Sequence, residues 1–102
     1  MEKSIDILMN ISDKCYSHTT IYKFNKDIDV SEKYRKGRIT ASQWLNELIY
    51  HYINKEKMFL KEFKKHIQQQ KADIHKLRNG EYKKGLYDQL NEIEGLIDDR
   101  TN

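Results

Sequence analysis

Apolar residues recur along this chain at helical rather than strand spacing, and the recurrence divides it into three periodic segments around one irregular stretch. In the first, Ile5, Leu8, Met9, Ser12, Cys15 and Tyr16 form one stripe that Ile7 and Ile11 widen, which predicts a helix over about 4–17 with Ser4 as its N-cap. His18-Thr19-Thr20 then interrupts the pattern. Ile21-Tyr22-Lys23-Phe24, β-branched and aromatic, reads equally as an extended piece or as another helical turn.

Residues 40–78 contain neither proline nor glycine and are dense in good helix formers, so the spacing predicts one long central helix. Thr40 followed by Gln43 is the capping-box arrangement at its start. A 3.5-residue stripe runs its length, with Ile53, Leu60, Ile67 and Ile74 at one position and Ile49, Glu56, Phe63, Gln70 and Leu77 at the other. At about 1.5 Å per residue such a helix would be nearly 60 Å long, a rod rather than the middle of a ball. Asn79-Gly80 ends it, with Gly80 expected as a left-handed cap.

A C-terminal helix over about 82–98 carries Tyr82, Leu86, Leu90, Ile93 and Ile97 on one stripe. Folded back as an antiparallel partner, it sets Leu77 against Tyr82, Ile74 against Leu86, Gln70 against Leu90, Ile67 against Ile93 and Phe63 against Ile97. Glycine weakens a helix, so Gly85 argues that this helix starts only after it. The expected fold is therefore all-α: a single domain over 1–102, an elongated bundle built on the long helix. Between the first two segments, Ser31 to Lys36 reads as a short helical turn ended by Gly37.

The hairpin covers only the second half of the long helix. Its first half is apolar on two faces, because Trp44, Leu45, Leu48, Tyr52 and Phe59 add a second stripe beside Ile49 and Ile53. One cover is the N-terminal helix. The other is either the segment over 18–36 or a second copy; the thin seam of so small a chain favours the second copy, making those five residues a partner or homodimer interface.

Composition narrows the class. Of 102 residues 37% are hydrophobic and 11% aromatic, too many for a disordered chain, and the absence of proline with only four glycines disfavours a turn-rich β fold. One cysteine, Cys15, allows no internal disulfide and fits a reducing cytoplasm. Acidic residues inside the first apolar run argue against a secretory signal, and no apolar run approaches a membrane span. Net charge is +3, unevenly spread: residues 34–78 carry eleven Lys/Arg against four Asp/Glu, between acidic flanks.

That basic middle raises an anionic partner. Arg35, Lys36 and Arg38 make a compact cationic loop, and Lys61, Lys64 and Lys65 lie toward the solvent side of the long helix, a candidate nucleic-acid surface. Other chemistry is weaker. Asn25, Asp27 and Asp29 alternate like calcium-loop ligands, but Val30 stands where the turn glycine belongs and Lys36 where the bidentate glutamate belongs. Glu47 with His51, Glu62 with His66, and Cys15 with His18 lack the further ligands a metal site needs, so no metal or cofactor is expected. With no phosphate-cradling glycine loop and Cys15 on an apolar face, no catalytic set is expected either. The sequence thus favours a non-catalytic cytoplasmic interaction or regulatory protein acting as a homodimer, with a nucleic-acid-binding accessory protein as the alternative.

Overall fold

The computed structural model describes residues 4–54 and 60–101, and all regular structure among them is helical: α1 (Ser4–Phe24), α2 (Glu32–Asn54), α3 (Leu60–Ile74) and α4 (Glu81–Thr101). The first helix runs well past Ser17. Thr19 and Thr20 donate their hydroxyls back to the carbonyls of Cys15 and Tyr16, so their polar groups stay within the helix. His18 and Tyr22 turn inward, and this packing overrides weak local propensity. A tight turn follows, in which the Asn25 side chain accepts from the Asp27 N–H.

The second helix begins eight residues before the expected Thr40. Ser31 is its N-cap, its hydroxyl accepting from the backbone N–H of Tyr34 at 3.1 Å, and Gly37 lies inside the helix instead of ending a turn. The single helix expected over 40–78 is replaced by two elements, with residues 55–59 outside the described set. Tyr52 and Phe63 would stand about 16 Å apart along one straight helix. Their ring centroids are 6.1 Å apart, and the Tyr52 ring also meets His66, so α3 folds back against α2. The longest dimension of the molecule is 38 Å, well short of the expected rod. The physical reason lies in the apolar residues of both halves, since a reversal buries Leu45 and Ile49 of α2 with Phe63 and Ile67 of α3 in one core that includes Ile7, Leu8, Ile11, Leu90 and Ile93.

The α3–α4 hairpin is antiparallel, with Lys64 paired to Asp98, Lys71 to Glu94 at 2.7 Å, and the Tyr87 hydroxyl donating to the Lys71 carbonyl. Phe63, Ile67, Ile74, Leu86, Leu90, Ile93 and Ile97 are all buried along it. Its upper end departs from the expected register. The last turn of α3 tightens through Lys76 N–H to Asp73 and Leu77 N–H to Ile74 carbonyl bonds, leaving Leu77 exposed rather than set against Tyr82. Gly80 has a φ of 158°, a positive value that L side chains rarely adopt, although far from that of a left-handed helical cap, and α4 starts directly after it.

The centre of the molecule is the crossing of α2 with α4, two helices that run in the same direction: Tyr34 bonds Asp88 and Arg38 bonds Glu92, one turn further along each. Gly37 and Gly85 meet there. A Cβ built on Gly37 would lie 2.9 Å from the Leu86 nitrogen and 3.0 Å from the Gly85 Cα, and closer still to the Tyr82 carbonyl oxygen. One on Gly85 would lie 3.0 Å from the Arg38 nitrogen and 3.1 Å from the Gly37 Cα, and closer still to the Tyr34 carbonyl oxygen. Only glycine lets the two backbones approach so closely.

Candidate functional site

The reciprocal glycine contacts reveal a repeat: Tyr34-Arg35-Lys36-Gly37 near the start of α2 answers Tyr82-Lys83-Lys84-Gly85 at the start of α4. The second residue of each motif does the same job. Arg35 donates to the carbonyls of Tyr22 at 3.0 Å, Asn25 at 2.9 Å and also Ile28, tying down the end of α1 and the turn after it. Lys83 donates to the carbonyls of His75 at 3.0 Å and Leu77 at 3.2 Å and to the Asn79 side chain, tying down the turn after α3. The two motifs thus meet reciprocally at the glycine crossing, each anchoring the connection that precedes its own helix. The matching tetrapeptides were the signal for it in the sequence.

Against this frame the candidate nucleic-acid residues separate. Arg35 is engaged with the three carbonyls. Arg38 is buried, its guanidinium 4.8 Å from the Tyr22 ring and bonded at 2.5 Å to Glu92, and Lys64 is paired with Asp98, which holds its ammonium pKa above the ordinary lysine value. Lys36, Lys61 and Lys65 are exposed. They do not form one surface, because Lys36 is near the first turn of α2, whereas Lys61 and Lys65 begin α3 beside the last turns of α2, at the opposite end of the bundle.

The candidate interface residues also divide. Leu45 is fully buried and Tyr52 nearly so, both within the chain's own core; burial keeps the Tyr52 hydroxyl protonated to higher pH than usual. Trp44 and Leu48 are half-buried and pack on the edge of the core, and Phe59 lies outside the described residues. Trp44 lines a slot of about 90 Å³ with Thr40, Ala41, Gln70, Ile74, Leu86 and Leu90. α2 and α3 form its walls and α4 its floor.

A buried polar cluster joins α1, α2 and α4. His18 Nδ1 hydrogen-bonds the side-chain amide of fully buried Gln89 at 3.0 Å and stands 3.7 Å from Glu92, which also takes the Arg38 bond. Cys15 lies beside Gln89, and burial pushes its thiol up to about 12 from 9.0, so the nucleophilic thiolate is suppressed. Tyr34 donates to Asp88 at 2.6 Å and is likewise pushed up to about 12, by burial first and then by that bond. Arg38 Nε and Ser42 Oγ are buried without a protein partner among the described residues. These groups specify how three helices fit together, as buried polar networks do.

A concavity of about 910 Å³ opens at the α1–α2 connection, over Tyr22, Ile28, Val30 and Ile39. Among the described residues no cluster of His, Cys, Asp or Glu is placed to hold a metal ion, and no helix is long and apolar enough to cross a membrane. Comparison of the chain with known protein families, with curated proteins and with solved structures finds no match.

Proposed function

We propose that this is a non-catalytic, cytoplasmic helical interaction protein that works as a homodimer, each copy laying its Trp44 and Leu48 over the α2–α3 slot of the other. The observation that carries this reading is the slot itself. α2 and α3 both pack on α4 and meet each other chiefly around Tyr52, so an apolar floor of Leu86 and Leu90 is left between an α3 wall with Ile74 and an α2 wall with half-exposed Trp44, one helical turn before half-exposed Leu48. A cavity of about 90 Å³ suits a single apolar side chain, and a two-fold arrangement would fill both slots at once. The fold satisfies its core within one chain, so the dimer is a functional contact rather than a condition of folding.

Sedimentation equilibrium over micromolar to tens-of-micromolar concentrations tests it, read with the emission of Trp44, the chain's one tryptophan. Association with a blue shift of that emission, both lost in Leu48→Lys, is the expected result. A monomer throughout that range with concentration-independent emission would sink the proposal. The nucleic-acid alternative has less support, since three of its six cations are engaged internally and the others lie at opposite ends of the bundle.

A further inference from the structure

The open cleft at the α1–α2 connection is on a different surface from the slot and is unused by the reading above. Its floor is half-buried Ile28, Val30 and Ile39. Around it stand Lys23, Lys26, Lys33 and Lys36, all exposed and none with an ion-pair partner among the described residues. Three acids share the rim. Asp29 and Glu32 flank the Ser31 cap, where their charge favours the positive N-terminal end of α2, and Asp27 lies at the tip of the turn. Arg35 fixes the whole connection through its three carbonyl bonds, so the cleft is preformed and a ligand does not have to order it.

We infer that this cleft docks an acidic amphipathic segment of a partner protein, its apolar side chains on Ile28, Val30 and Ile39 and its carboxylates against Lys33, Lys36 and their neighbours. Lys26, Lys33 and Lys36, with no partner among the described residues, and Lys23, which meets only the Phe24 ring, call for an anionic ligand, while the aliphatic floor between them calls for side chains that a phosphate backbone does not possess. A fluorescein-labelled peptide of glutamates with leucines at helical spacing, titrated into the full chain by anisotropy, tests the assignment. Binding should weaken at least about tenfold in Lys33→Glu/Lys36→Glu, and also when the peptide's leucines become glutamines, but not in Lys61→Glu/Lys65→Glu at the other end of the bundle. Amide shifts should centre on Ile28, Val30 and Ile39, and unchanged circular dichroism confirms that the variants fold. Equal losses in the two charge-reversed proteins, undiminished binding of the leucine-free peptide, or tighter binding of an RNA or DNA duplex or of phosphatidylserine vesicles would overturn it. Because these variants leave Trp44 and Leu48 untouched, failure here and failure of the dimer are read separately.

Discussion

Replacing Gly37 with alanine is expected to destabilise the protein, even though alanine is the better helix former and the position lies inside α2. The new Cβ would meet the Tyr82 carbonyl oxygen, the Leu86 nitrogen at 2.9 Å and the Gly85 Cα at 3.0 Å. All three are main-chain atoms, so no rotamer change relieves the clash, and α2 and α4 must part by roughly 1 Å at their crossing, enough to forfeit a quarter to a half of the dispersion energy of the contacts across it. Overpacking of this kind costs about 1–3 kcal/mol, and the absence of a side chain that can yield puts Gly37→Ala at the upper end. Helix propensity returns about 1 kcal/mol. The net loss of about 2 kcal/mol should lower Tm by roughly 8–16 °C for a domain of this size. Gly95→Ala is the control, since nothing lies within 4 Å of a Cβ there, and it should raise Tm by a few degrees through the same propensity term. The assay is thermal unfolding followed by circular dichroism for Gly37→Ala, Gly85→Ala, the double variant and Gly95→Ala. Once the helices have separated the second methyl is cheaper, so the double variant should lose less than the two single losses combined. A Gly37→Ala protein as stable as Gly95→Ala would refute the close crossing.

Three further outcomes follow from the polar groups. Arg38→Glu should destabilise by about 3–5 kcal/mol, because it buries a carboxylate against Glu92, whereas Lys36→Glu should change little; urea denaturation of the pair checks this, and comparable midpoints would mean that Arg38 is not the buried partner described. Arg35→Ala and Lys83→Met remove equivalent ties and should each cost about 1–2 kcal/mol, with faster amide exchange confined to residues 22–28 in the first and 75–79 in the second. The folded Cys15 thiol is raised to about 12 from 9.0, so above pH 9 the unfolded chain sheds a proton that the folded chain keeps, and stability falls with rising pH by up to about 1.4 kcal/mol per unit until pH 12. Tyr34, only partly buried, adds a weaker slope of the same sign above pH 10, reduced by solvent screening. Denaturation midpoints from pH 8 upward should fall less steeply in Cys15→Ala than in the parent, and identical slopes would contradict the buried thiol.

By itself the sequence determined that the chain is helical and which residues fill the α3–α4 seam from Phe63 to Ile74 and from Leu86 to Ile97, though not its Leu77 end, because a 3.6-residue apolar period is a local property that survives in any all-helical arrangement. It also identified Trp44 and Leu48 as apolar positions beyond the first seam, and both remain half-exposed. Tertiary structure decided the rest. No glycine or proline announces that α3 runs opposite to α2; the arrangement follows from the gain of burying Leu45, Ile49, Phe63 and Ile67 in one core, which no local window contains. Arg35, Arg38 and Lys64 read as surface cations, since charge is visible in a sequence while a partner tens of residues away is not. Gly37 and Gly85 have the clearest reversal of meaning. As isolated residues they signal the end or the weakness of a helix, yet each sits within one because a glycine on the facing helix makes a close crossing possible. Only the pairing of the two tetrapeptides in space gives that spacing its use.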